Sequence, residues 1–492
     1  VNTFVRRAAA LVAAPALATA ALVATSGAPA QAAVTTPPTP AATAAAAWLD
    51  GKLVNGLLDA DPAQAGSTID LALSLVASGT SPATVAKVRA GLDSVLDEYT
   101  AEGPGATAKA AHFYEAIGVG ASDELVQQLE DAVDDSTGEL GSVYDQVWAV
   151  QALREAGSDE IGTATEFLVD QRCDGGGWGY LAPACTSDVD ATAWAVLALL
   201  PRATEPDVKA AVDAGLTWLR SVQFADGGFG WNPADATSAN ANSTGLAGWA
   251  LGAAGQTDPA ARAASWVASR QVVALPACGV TKADAENGAI APDQTGLDTA
   301  RQQGLAAEDL ATWKRAGAQA LAALAYLPSS APTLGAPAGY VRAGSTVAVT
   351  VAGLRAGEVA CLSGVGTPAR VTGPGTVPVT LPAATADHAL TLTTVGKPIT
   401  VTVEALGKAT LKLKLDKKLK KGQKQKVTVT GLAPREKVAV RVGGKKVDAG
   451  KANAKGVFTA AFKATGKPGK RVVKVAGQFA DRSGKATFKV VR

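Results

Sequence analysis

Few residues in this 492-residue chain have the type and spacing to do chemistry. Asp188 and Asp190 stand two apart at the head of an apolar run that ends at Leu200. Read locally, Ser187 or Asp188 caps a helix, and Asp190 is a first-turn acid favoured by the helix dipole. Asp145 begins a corresponding run, Tyr144–Gly157. Glycoside hydrolysis or lyase chemistry would need such carboxylates paired across one groove. His112 and His388 fall in different domains, and no Asp-x-Cys pair accompanies them, so no zinc site, other metal site or cofactor is expected. Glu130–Asp135 reads as the solvated acidic face of a helix. The chain carries no Gly-x-Ser-x-Gly elbow and no phosphate loop.

Aromatic rings are the other candidates. Tyr144, Trp148, Trp178, Tyr180, Trp194, Phe229, Trp231 and Trp249 fall on the more apolar helical runs or on glycine loops. Such rings can line a site, stacking on an apolar ligand or facing a cation. They can equally pack one helix pair against the next.

These residues must be positioned by helices. Residues 44–328 are Ala/Leu-rich with helical periodicity and repeat a two-helix unit six times, about 40–50 residues apart. A polar first helix (Ala214–Gln223, for example) precedes a Gly-containing loop and a more apolar second helix (Ser243–Gly255). One pair cannot bury both faces of its apolar helix, whereas six pairs closed into a ring can. A Ser/Pro-rich linker at 329–337 follows, and the hydrophobic period then falls to two. Segments such as Gly344–Leu354, Ile399–Leu406, Lys426–Leu432 and Lys470–Gly477 predict two tandem Ig-like β-sandwiches, at 338–407 and 408–492. The expected fold class is therefore multidomain, an all-α (α/α)6 toroid followed by two all-β sandwiches.

Two loops carry the most specific pattern. Gln171-Arg172-Cys173-Asp174-Gly175-Gly176-Gly177-Trp178-Gly179 is matched by Gln223-Phe224-Ala225-Asp226-Gly227-Gly228-Phe229-Gly230-Trp231. Both resemble the Gln-x-x-Asp-Gly-Gly-aromatic-Gly signature of the terpenoid-cyclase and protein-prenyltransferase repeat family. In that pattern Asp caps the turn, glycine takes positive φ, the ring packs between helix pairs, and Gln reaches the next inner helix. The resemblance implies an α/α toroid over residues 44–328 and leaves activity open, because enzymes and carriers share the fold. In class II terpenoid cyclases an Asp-x-Asp-Asp motif holds the proton donor. Asp190 would then be the catalytic acid and Asp188 its support, with Ala191 in place of the last Asp. The resemblance equally implies a non-catalytic carrier of a partly apolar ligand such as a corrinoid.

The N-terminus reads as an export leader. Arg6 and Arg7 precede the apolar stretch Ala8–Val23, and Ala30-Gln31-Ala32 supplies a cleavage pattern, which predicts a signal peptide over 1–32 and a linker over 33–43. No second stretch is long and apolar enough for a membrane anchor. Secreted or cell-wall-associated chains oxidise their thiols, and four cysteines allow three pairings. Cys173 and Cys185 bracket one glycine loop and are the expected pair. Cys278 and Cys361 either tie the toroid to the first β-domain or stay as separate buried thiols. The near-neutral total of +2 conceals a division: residues 408–492 hold 25 Lys and Arg against 4 Asp and Glu, and the remainder holds 21 against 40. A module this basic is drawn to anionic cell-wall polymers, and export argues against nucleic acid as partner.

Overall fold

The computed structural model describes residues 37–180, 185–355 and 357–492. The leader expected over 1–32 lies outside them. Fourteen α-helices build the first body. Six are outer helices: α1 (Pro40–Asp50), α3 (Pro82–Asp93), α6 (Asp123–Ala132), α8 (Ile161–Asp170), α10 (Pro206–Val222) and α12 (Thr257–Ser269). Six are inner: α2 (Ala65–Ser78), α5 (Pro104–Ala116), α7 (Val143–Ala156), α9 (Val189–Leu199), α11 (Ala241–Ala253) and α14 (Leu310–Ala320), the last continued by a 3₁₀ turn to Tyr326. Short α4 (Leu96–Thr100) and α13 (Gln294–Gln303) lie in connections.

Each inner helix packs on the next, α2 on α5, α5 on α7, α7 on α9, α9 on α11 and α11 on α14, and α14 returns to α2. The ring therefore closes. Hydrogen bonds from Gln271 Nε2 to Ala41 O (2.9 Å) and from Thr39 Oγ1 to Leu324 O (3.2 Å) fasten last repeat to first. Composition decides which helix lies inside. From Val189 to Leu199 every residue but Asp190 is buried, whereas α6 buries only Leu125 and Leu129. The first helix starts inside the expected linker, because Thr39 caps it and Pro40 occupies its first turn.

The two β-domains share one topology. In the first, β1 (Thr333–Gly335), β3 (Thr346–Ala352) and β6 (Gly375–Thr380) form one sheet, ordered β1-β3-β6. The facing sheet joins β2 (Val341–Arg342), β4 (Val359–Ser363), β5 (Ala369–Thr372), β7 (Ala386–Thr393) and β8 (Ile399–Leu406) in the order β2-β8-β7-β4-β5. In the second, β9 (Ala409–Thr410) precedes β10 (Lys412–Lys414), β12 (Lys424–Thr430) and β15 (Phe458–Lys463), the last three ordered β10-β12-β15. Opposite them β11 (Lys418–Lys420), β13 (Lys437–Val442), β14 (Lys445–Lys451), β16 (Gly469–Ala476) and β17 (Arg482–Val491) run β11-β17-β16-β13-β14, with β9 added on β17. The entry strand of each larger sheet pairs parallel with the exit strand, β2 with β8 and β11 with β17. These are the two tandem sandwiches of the expected class. The first begins at Thr333, inside the segment read as linker.

Candidate functional site

The glycine loops set the inner helices in place. In the second loop Gly227 has φ +96°, and a Cβ there would stand 2.6 Å from the Arg262 carbonyl oxygen, so only glycine fits. Asp226 Oδ1 accepts from Gly228 N (3.0 Å), and Oδ2 accepts from Trp266 Nε1 (2.9 Å). Phe229 N donates to Thr244 Oγ1 (2.8 Å) on α11, and Trp178 N donates to Thr192 Oγ1 (2.9 Å) on α9. The same bond recurs as Leu58 N to Thr68 Oγ1 (2.9 Å) on α2. A threonine on each of these three inner helices therefore takes one loop amide and sets the height at which the helix head meets the ring's mouth. The loop glutamine acts differently from the expectation. Gln223 Nε2 donates to Gly227 O of its own loop and to Pro259 O of the next outer helix (3.0 and 2.9 Å), not to an inner helix.

That geometry corrects part of the aromatic set. Trp178 and Phe229 have no solvent exposure, and Trp178 Nε1 donates to Leu168 O (2.7 Å). They are wedges between helix pairs, not ligand-lining residues. Trp231 stands out in solvent at 71% exposure. Trp148, Trp194 and Trp249 come together inside the ring. Their centroids lie 4.5 Å apart (Trp148–Trp194) and 5.5 Å apart (Trp194–Trp249), and each is nearly buried. His112 continues the row at 5.8 Å from Trp148, with its Nδ1 2.8 Å from Glu155 Oε2. Three indoles from the successive inner helices α7, α9 and α11 thus pack on one another inside the ring.

At the mouth above them the N-terminal parts of the inner helices bring polar groups together. Asp188 is the N-cap of α9, its Oδ1 accepting from Ala191 N (2.9 Å) and from Tyr144 Oη (3.3 Å). The Tyr144 ring lies 5.5 Å from the exposed ring of Tyr180. Asp190, two residues further on in the first turn, has a buried carboxylate oxygen, Oδ1, with no hydrogen-bond partner. Burial first, and then the neighbouring Asp188 charge, push its pKa up to about 7, with Ser243 opposing the rise. An aspartic acid in that range is half protonated at neutral pH and can donate a proton.

Sequence reasoning missed the adjoining part of the site. Asp70, on α2, is buried: Lys109 Nζ sits 2.6 Å from its Oδ1, and Gln319 Nε2 donates to its Oδ2 (2.9 Å). Asn242 Nδ2 extends the chain to Gln319 Oε1 (2.6 Å), while Lys109 lies 4.7 Å from the centre of the Trp148 ring. This polar string crosses α11, α14, α2, α5 and α7. It borders a cleft of about 490 Å³ that Tyr99, Asp145 and Arg315 also line. The available signal was the presence of Asp70 and Lys109 within otherwise apolar inner helices. Asp145 caps its own helix, Oδ2 accepting from Ser142 N and Oγ (3.0 and 2.8 Å). Asp145 and Asp70 are thus tied into the framework, and Glu102 is the third carboxylate lining this cleft.

Both cysteine pairs are bonded. Cys173–Cys185 closes the first glycine loop, and Cys278–Cys361 joins the toroid to β4 of the first sandwich. Among the described residues no group of three or more His, Cys, Asp or Glu could hold a metal ion. Likewise none of their helices is long and apolar enough to cross a membrane.

No protein-family model and no curated protein matches the sequence. Among solved structures it is similar to ent-copalyl diphosphate synthase from Streptomyces platensis, at 20% identity and TM-score 0.36 over 53% of this chain and 50% of that one. The chain thus spans half the length of the synthase. A protein from Actinoplanes matches at 18% identity and TM-score 0.38, over 58% of this chain and 98% of its own. Fibronectin(III)-like modules of Clostridium thermocellum CbhA match at 15% identity and TM-score 0.21, over 32% and 93%.

Proposed function

We infer that this chain is an extracellular binding protein: the toroid is its recognition body, and the last β-domain holds it at an anionic cell surface. The observation that carries the reading is the indole row inside the ring, where Trp148, Trp194 and Trp249 pack on one another. Such a row would take up space that a cyclase needs for its substrate. Ligand access is then at the mouth, beside Asp70, Lys109, Trp148 and Gln319. That cleft suits a partly apolar small molecule bearing polar groups, a corrinoid among them. Two disulfides accord with an oxidising compartment. The reading predicts that full-length chain is retained by cell walls and that deleting residues 408–492 releases it to the medium. Equal retention of both forms would sink the surface role.

One observation favours a second reading. Asp190 combines a pKa near 7, a buried unpartnered oxygen and nearby indoles, the properties of an acid that could protonate an alkene. In that reading the chain is a class II terpenoid-cyclase-like enzyme with Asp190 as general acid and Asp188 as its support.

A further inference from the structure

The last β-domain arranges its basic residues in rows. In its larger sheet Lys418 stands opposite Lys489, and Lys489 opposite Lys470. Four residues along the strands, Lys485 stands opposite Lys474, Lys474 opposite Arg441, and Arg441 opposite Lys446. All seven are exposed, whereas Val440, Val473, Val475, Phe488 and Val490 from the same strands are buried. The two-residue period therefore puts all seven cations on one outer face. Neighbouring strands lie about 4.8 Å apart and the two rows about 13 Å apart. Between the rows stand Thr487 and Val472, opposite each other.

Like charges placed directly opposite destabilise a sheet, and the longer row repeats that cost at three successive strand pairs. Solubility does not require this registration. The other sheet stays basic with a single such pair, Lys424 opposite Lys463, and no row: Lys412 faces Thr430, Lys414 faces Thr428 and Lys426 faces Ala461. Three of the module's four acids are engaged elsewhere. Glu436 pairs with Arg482, Asp481 with Arg342, and Asp448 accepts from the amides of Ala449 and Ala461. Among the described residues none of the seven cations has an ion-pair partner.

We propose that this face docks a linear phosphodiester polymer of the cell envelope, a chain lying across the strands along each row. The proposal rests on the surface reading above and supplies its chemistry. Six of the seven cations are lysines, point charges suited to tetrahedral phosphate; planar carboxylates favour the arginine fork. The module has no Trp or Tyr, and its phenylalanines lie off this face, so neither sugar rings nor bases find a stacking platform. Val472 is the single exposed large apolar residue on the face, too little for insertion into a bilayer.

The test titrates the full chain with poly(glycerol phosphate). Two variants remove equal charge, Arg441→Gln/Lys474→Gln/Lys485→Gln from the longer row and Lys412→Gln/Lys414→Gln/Lys426→Gln from the opposite sheet. Circular dichroism confirms that both are folded. The row variant loses affinity about tenfold or more and the control about threefold or less, and wild-type binding weakens as salt screens the charges. Equal losses in the two variants would overturn the proposal, since net charge alone would then explain binding. So would tighter wild-type binding to polygalacturonate or to phosphatidylglycerol vesicles. Unchanged polymer affinity in the row variant also overturns it, even if deleting 408–492 still releases the chain from walls, a result that leaves surface attachment standing.

Discussion

Asp190 gives the molecule a pH dependence that a simple first-turn acid would lack. Its folded pKa of about 7 lies above the unfolded carboxylate value, so between the two the folded chain holds a proton that the unfolded chain has lost. Stability from this group is therefore full at acid pH and falls as pH rises through about 4 to 7. The upper bound of the loss is about 4 kcal/mol. Asp190→Asn should match wild type at pH 4 and exceed it at pH 8, with the toroid's unfolding followed through tryptophan fluorescence. All nine tryptophans lie between Trp48 and Trp313, so the signal reports this body alone. A variant no more stable at pH 8 would mean the carboxylate is not desolvated. Gly227 makes a second test: Gly227→Ala places a Cβ against the Arg262 carbonyl at positive φ and should cost about 1–3 kcal/mol in urea unfolding. At this scale the loops were legible in the sequence, because Asp226, Gly227 and Phe229 act within one short segment. Trp178 stands at the same motif position as Phe229, and the pattern already has that ring pack between helix pairs. The place of Trp231 was not legible: it follows the motif, and only the fold decides that it is exposed.

The elements are held to one another by polar contacts across the inner ring as well as by apolar packing. Lys109 on α5 compensates Asp70 on α2, both side chains nearly buried. Lys109→Met leaves that carboxylate uncompensated and should destabilise the toroid by about 3–5 kcal/mol, whereas adding Asp70→Asn should recover most of the loss. A double variant as unstable as the single one would show that packing of the lysine stem, not charge, is what matters. The helix pairs and the period-two strands could be read from periodicity, since each element's buried face is written in its own residues. The string through Asn242, Gln319, Asp70 and Lys109 could not. Gln319 and Asp70 are 249 residues apart in the chain and meet only because the ring closes. Strand register was equally hidden: alternating lysines announce an exposed face but not which lysine stands opposite.

As a whole, the molecule is an acidic toroid, a nearly neutral sandwich and a basic one, stiffened at its junctions. Cys278–Cys361 closes an 83-residue span between toroid and first sandwich, worth about 4–5 kcal/mol by chain entropy. Cys278→Ser/Cys361→Ser should therefore lower the urea midpoint, and an unchanged midpoint would show that the bond constrains nothing. At the junction of the sandwiches Arg482, paired with Glu436 of its own sandwich (2.7 Å), donates to Gly407 O (2.8 Å), while Tyr340 Oη donates to Pro434 O (2.7 Å). The stacked indoles inside the ring are what the proposed binding reading rests on. Product analysis by gas chromatography–mass spectrometry, after incubation with squalene and linear prenyl substrates, tests that claim most directly. The account predicts unchanged substrate with both wild type and Asp190→Asn. A cyclised product that disappears in Asp190→Asn would contradict it and make Asp190 the acid of an enzyme.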